Sequence, residues 1–218
     1  MARRFELIVF DWDGTLMDSA ALIANSVQRA AVDLGLTPPT EERARHIIGL
    51  GLIDALRHAL PDLEESRYFE VADRYRHHYL SRDHELDLFH GAAELVRELA
   101  AADYLLGVAT GKSRPGLDRA LDGSGLRPHF HATRCADECH SKPHPQMLHE
   151  LMEEFGVAPE ATLMIGDTTH DLLMAKNAGV PALAVAYGAH PRAQLEAEAP
   201  LYCADSLGDM AVWLRANA

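Results

Sequence analysis

The sequence predicts an α/β fold: a parallel sheet with helices on both faces, carrying an inserted block of helices. Three observations lead there. Leu7 to Phe10 is an unbroken apolar run that stops on Asp11 and Asp13, the pattern of a strand buried on both faces. After residue 90, further short apolar runs alternate with stretches of helical period, as parallel βα units require. Residues ~17 to ~89, in contrast, read as helices alone, too many for one crossover between neighbouring strands.

Taken in order, Leu22 to Gly35 has apolar residues at helical spacing and a closing glycine. Thr37 to Thr40 is a loop, and Thr40-Glu41-Glu42-Arg43 opens a second helix, interrupted by Gly49-Leu50-Gly51. Leu52 to Leu60 is a third helix, stopped by Pro61, and Glu64 to Ser81 a fourth, with Tyr68, Val71, Ala72, Tyr75 and Tyr79 on one side. Beyond His90-Gly91, helices are expected at Ala92–Ala102, Arg114–Asp122, Pro145–Phe155, Asp171–Ala178 and Ser206–Arg215. Strands are expected at Leu105–Ala109, Phe130–Ala132, Thr162–Ile165, Ala182–Ala186 and Leu201–Cys203. The expected division is a core of residues 1–16 and 90–218 with a helical cap of residues 17–89.

The formal charge of −13 excludes a partner that needs a basic face, so neither nucleic acid nor an anionic membrane is expected. No apolar run approaches the ~20 residues of a membrane span. The segment Met1 to Glu6 shows no leader-like apolar region. Cys135, Cys139 and Cys203 are odd in number and sparse, which fits a reducing cytoplasm. Cys135-x-x-x-Cys139-His140 and His144 do not have the spacing of a zinc finger, and no second ligand pair is evident. Seventeen arginines stand against Lys112, Lys142 and Lys176, so a lysine marks a place where a compact charge replaces the wide guanidinium fork.

The chemistry-bearing residues lie at strand ends. Asp11 and Asp13 follow the first strand, and Asp167 and Asp171 follow the Thr162–Ile165 run. Thr110-Gly111-Lys112 follows another strand, and Lys142 lies in a loop. A parallel sheet sets such ends side by side, at the edge where ligands bind. Two carboxylates ~4 Å apart repel by roughly 4 kcal/mol at an effective dielectric of 20. Four aspartates offset by Lys142 alone retain three negative charges. A divalent cation, and then one proton, would bring the site to neutrality before a phosphate arrived. Hard oxygen donors without His or Cys point to Mg²⁺.

Asp11-Trp12-Asp13-Gly14-Thr15, Val108-Ala109-Thr110-Gly111, Ser141-Lys142-Pro143 and Gly166-Asp167-Thr168-Thr169-His170-Asp171 together resemble, in order, the four motifs of the haloacid dehalogenase superfamily. The likeness spans nearly the whole chain and lies nearest the phosphoglycolate phosphatase-like branch. It implies a Rossmann-like core with a helical cap inserted after the first motif. It implies Mg²⁺-dependent hydrolysis of a small phosphomonoester through an aspartyl-phosphate, with 2-phosphoglycolate as leading substrate. Asp11 would be the nucleophile and Asp13 the acid and base. Mg²⁺ would be held by Asp11, Asp167, Asp171 and the backbone carbonyl of Asp13. Thr110 and Gly111 would hold phosphoryl oxygens and Lys142 would neutralise charge. Lys112 and Arg114 either assist in binding the substrate anion or cap the next helix. Arg43, Arg45 and Arg57 are either contacts for a substrate carboxylate or a solvated helix face. The dehalogenase branch lacks the acid at position 13, which favours phosphoryl transfer. A phosphosugar mutase would share all four motifs, and a non-catalytic phospho-ligand binder would not need all of them. A monomer or small homo-oligomer is expected.

Overall fold

The computed structural model describes residues 4–218, so Met1, Ala2 and Arg3 lie outside the described residues. Within them the sheet has six parallel strands in the order β3-β2-β1-β4-β5-β6. The strands are β1 (Leu7–Phe10), β2 (Leu105–Thr110), β3 (Ala132–Cys135), β4 (Thr162–Gly166), β5 (Ala182–Val185) and β6 (Tyr202–Ala204). The helices are α1 (Ala20–Asp33), α2 (Glu41–His46), α3 (Leu52–Ala59), α4 (Tyr68–Leu80), α5 (Ala92–Ala101), α6 (Arg114–Ser124), α7 (Gln146–Phe155), α8 (Thr169–Asn177), α9 (Arg192–Ala197) and α10 (Leu207–Asn217).

Strand order runs outward in both directions from β1 and β4, so the chain reverses between them. That makes their carboxyl ends the topological switch point, where such sheets form a crevice. Alternation along β1 divides the core. Ile8 and Phe10 pack with Leu95 of α5, Leu117 of α6 and Met210 of α10. Leu7 and Val9 pack with Leu148 and Leu151 of α7 and Met174 of α8. All four β1 side chains are buried, which is why the run carries no polar residue.

Helices α1–α4 have a core of their own, built from Val27, Ala30, Leu56, Tyr68 and Val71 among others. The two chain segments joining this block to the sheet lie beside each other. The Asp18 N–H donates to Asp87 O at 3.1 Å and the Phe89 N–H to Leu16 O at 2.9 Å. Helix α1 ends as its glycine predicts: Gly35 takes φ +67° and the Leu36 N–H reaches back to Ala31 O at 2.9 Å. None of the described helices is long and apolar enough to cross a membrane.

Three elements depart from the sequence expectation. β3 is Ala132–Cys135, not Phe130–Ala132. Phe130 is instead an anchor, edge-on to Phe10 and Trp12 at 6.4 and 6.3 Å between centroids. The strand lies at the sheet edge, half-exposed over most of its length, so it lacks an apolar run. The fourth helix starts with a 3₁₀ turn at Glu65–Arg67 before α4 proper. Helix α9, which begins after Pro191, had no sequence assignment; only Leu195 of its six residues is buried, too little for a periodic signal.

Candidate active site

β1 hands over to the site without a break: the Asp11 N–H still donates to Ile165 O of β4 at 2.8 Å. The chain then turns tightly, with Trp12 O accepting from the Leu16 and Met17 N–H groups, both at 3.0 Å. Gly14 makes the turn possible. Its φ is +80°, and a Cβ there would overlap the Asp167 carboxylate. On the neighbouring strand, β4 ends at Gly166 and Asp167 follows. Thr168 then caps α8 in a reciprocal box: Asp171 Oδ2 accepts from the Thr168 N–H at 3.1 Å and from its hydroxyl at 2.7 Å. The box fixes Asp171 and leaves its Oδ1 facing the crevice floor.

Lys142 sits between the two acids. Its ammonium donates to Asp11 Oδ1 at 2.7 Å and to Asp171 Oδ1 at 2.6 Å, and all three side chains are buried. One carboxylate oxygen from each of Asp11, Asp167 and Asp171 lies within 4.8 Å of the others. Asp167 is held by neutral donors, the Thr15 hydroxyl at 3.0 Å and the Ala189 N–H at 2.7 Å. At that spacing each pair of charges repels by about 3 kcal/mol at an effective dielectric of 20. Burial, reinforced by Asp171 and Asp13 and opposed by Lys142, pushes the Asp11 carboxyl up from 3.8 to about 7. Burial, with Asp11 and Asp171, pushes Asp167 well above the ordinary range. Burial alone would depress the Lys142 ammonium, but Asp11 and Asp171 outweigh it and hold its pKa above normal. Asp11 Oδ2 is buried and has no hydrogen-bond partner. Three buried hard oxygens, an orphaned lone pair and an excess of negative charge suit a small divalent cation.

The carboxylate of Asp13 is not in that triad. Its Oδ1 accepts from the Ser19 hydroxyl at 2.6 Å and pairs with the Lys112 ammonium at 3.0 Å. The charge balance read from sequence therefore omitted a cation: with both lysines, four carboxylates leave two negative charges, which one divalent ion offsets. Lys112 also donates to the Tyr79 hydroxyl at 2.9 Å and lies over its ring, 4.8 Å from the centroid. Thr110, at the end of β2, is buried, and its Oγ1 accepts from the Lys112 N–H at 3.2 Å. Arg114 turns away to Glu138 at 2.7 Å and Thr133 Oγ1 at 2.6 Å, and takes no part in the site. Arg45 and Arg57 pair with acids of their own helical block, and Arg43 is exposed, so the solvated-face reading holds for these three.

The loop after α2 closes over this floor through backbone atoms. His46 O accepts from His170 Nε2 at 2.7 Å and from His190 Nε2 at 3.1 Å. The Gly51 N–H donates to Ser141 Oγ at 2.8 Å. Gly111 lies so close beneath that a Cβ would stand 2.5 Å from Leu50 O. Thr15, quoted only within the first motif, Tyr79, named only on a helix face, and Ser19 and Ala189 were given no role at the site from sequence. Ser19 stands six residues beyond Asp13, a distance at which no periodicity predicts contact. Ala189 contributes a main-chain N–H, which has no signature in residue type.

Comparison with known proteins gives the family. Residues 8–185 match the family model for haloacid dehalogenase-like hydrolases. The chain belongs to that family. It is 36% identical over 211 residues to "Probable phosphatase IndB" of Dickeya dadantii (94% of this chain and 91% of the relative). It is 33% identical over 207 residues to a "5'-nucleotidase" of Pseudomonas aeruginosa (94% and 93%). Among solved structures, a "predicted phosphoglycolate phosphatase" from Haemophilus somnus superposes with a TM-score of 0.85 at 26% identity, covering 96% of this chain and 98% of that one. This hydrolase is accordingly an enzyme of the family's phosphatase kind.

Proposed function

We propose that the protein is a Mg²⁺-dependent phosphomonoesterase with Asp11 as nucleophile. The observation that carries the reading is the state of the Asp11 carboxylate: Oδ1 is held by Lys142 while Oδ2 is buried with no partner. That leaves one oxygen with no protein partner, and its lone pairs are assigned to the cation and to attack on phosphorus. The bond from Asp11 to phosphorus forms as the ester oxygen departs, giving an aspartyl-phosphate. Asp13, set apart from the triad, takes the proton that the incoming phosphomonoester monoanion carries, gives it to the departing oxygen, and then takes one from the water that cleaves the acyl phosphate. Thr110, the Gly111 N–H, Lys112 and Lys142 hold and neutralise the phosphoryl oxygens. Asp11, Asp167, Asp171 and the Asp13 carbonyl would hold Mg²⁺, which supplies charge neutralisation at the phosphoryl group. Residues 17–89 act as a cap and residues 1–16 with 90–218 as the core, the cap excluding water when it lies against the sheet. Resemblance makes 2-phosphoglycolate the first metabolite to try.

A panel of phosphomonoesters with Mg²⁺, repeated with EDTA, tests the reading. Phosphate release from p-nitrophenyl phosphate should fall by at least about 100-fold when the metal is removed, several kcal/mol of transition-state stabilisation being lost. Turnover unchanged by EDTA would remove Mg²⁺ from the proposal.

The metal should also show in stability. Between pH 4 and 7 the folded, metal-free protein keeps the Asp11 proton that the unfolded chain has released. Its stability should therefore fall as pH rises from about 4 through 7. Mg²⁺ competes with that proton, so the rise in Tm on adding it should be larger at pH 8 than at pH 5. Calorimetric scans at the two pH values, with and without Mg²⁺, measure both slopes; an equal Mg²⁺ shift at each would count against metal and proton sharing Asp11.

A further inference from the structure

The cavity between helices α1–α4 and the carboxyl edge of the sheet has a volume of about 650 Å³, and Asp13, Gly111 and Lys112 form one end of it. Clefts of roughly 300–1,000 Å³ enclose ligands of drug size, well beyond a two-carbon acid. Its other walls are mostly apolar. Ile48, Leu50 and Ile53 line it, and Tyr75 and Tyr79, packed against the cluster that holds Ile48, stack on each other at 5.7 Å with 23° between their planes.

Charge in the cavity argues the same way. Lys112, paired with Asp13 at 3.0 Å and with Tyr79, is the cation assigned to the phosphoryl group and is not left over for a second anion. The other two lining cations are Arg76, paired with Asp73 at 2.8 Å, and Arg119, 3.7 Å from Asp83; their side chains are 53% and 52% exposed. Asp54 and Asp137 add acids to the rim. A leaving group with its own carboxylate or phosphate would be desolvated against isoleucine and would meet no uncommitted cation on the inner wall. A flat apolar group would gain the ring surface that Tyr75 and Tyr79 leave uncovered, both being partly exposed, and the aliphatic wall.

We infer that the preferred substrate is a phosphomonoester whose alcohol carries an uncharged, flat, apolar body, an aromatic ring or its equal, laid against Tyr75 and Tyr79 between the helical block and the sheet. The inference rests on the reading of Asp11 as nucleophile and names the substrate class of that same site.

The test compares kcat/KM for benzyl phosphate, ethyl phosphate and 2-phosphoglycolate with Mg²⁺ present. All three expel an alkoxide on a saturated carbon, so what differs is the body and its charge. Benzyl phosphate should lead both others by at least about tenfold, the scale on which apolar pockets discriminate. Ile53→Lys, at a partly exposed wall position, sets a cation in the cavity. It should shrink the benzyl to 2-phosphoglycolate ratio by at least about tenfold. In the unaltered protein, benzylphosphonate should inhibit at a lower concentration than phosphonoacetate. Turnover led by 2-phosphoglycolate, inhibition led by phosphonoacetate, or a ratio unmoved in a folded Ile53→Lys would overturn the inference and leave the phosphatase reading standing. No release from any of the three esters would overturn that reading and the inference with it.

Discussion

Asp11→Asn should lower turnover by at least about 10⁴-fold, the scale of loss when a covalent nucleophile is removed. The amide has the shape of the carboxylate, and its oxygen still accepts from the Lys142 ammonium that now lies 2.7 Å from Oδ1. What disappears is the nucleophilic oxygen and one negative charge from an overcharged, buried cluster. The metal-free variant should consequently melt no lower than the parent, because removing one of several mutually repelling carboxylates relieves repulsion. Rapid quench should trap phosphate on the parent and none on the variant. Parent-like phosphate release from Asp11→Asn would assign the nucleophile elsewhere.

Lys142→Met should damage both folding and function. Asp11 and Asp171 share this single ammonium, and neither is exposed to water that could replace it. Breaking a buried ion pair by deleting one partner costs about 3–5 kcal/mol. In a chain of this size that lowers Tm by roughly 10 °C, at about 2–4 °C per kcal/mol. The deficit should narrow as pH is lowered from 8 to 5, because Asp11, whose carboxyl burial pushes up to about 7, then takes up a proton, and Mg²⁺ should narrow it further. Lys142→Arg should not restore activity: the planar fork cannot occupy the compact position between two oxygens at 2.7 and 2.6 Å. A Lys142→Met protein with unchanged Tm at pH 8 would mean that the ammonium does not carry this charge.

Most of the core was legible because its strands are buried on both faces. β1 is apolar throughout and β2 and β4 nearly so, with Thr110 and Thr162 at an end of each, so their runs stand out, and the acids that follow β1 and β4 are conspicuous. β3 was misplaced because an edge strand with Thr133 and Arg134 need not be apolar, while Phe130 just before it is an anchor for Trp12. At the site, Asp11, Asp167, Asp171 and Lys142 were found as a set because their chemistry resides in their side chains. Lys112 was left open between binding the substrate anion and capping the next helix; its pairing with Asp13 was not foreseen, since it depends on how the chain turns past the strand. The cavity wall was out of reach altogether. Ile48, Ile53 and Tyr75 look like ordinary helix-face residues until the helical block is set against the sheet.

The loop after α2 is fastened to the sheet edge by main-chain groups, the His46 carbonyl and the Gly51 amide, and by the missing side chain of Gly111. None of these attachments reads the identity of Ile48, Leu50 or Ile53, which form the chamber. Substitution at those three positions can retune which alcohol is accepted while the seam stays shut. Substrate preference and closure are thus separable traits in this molecule, free to diverge at different rates.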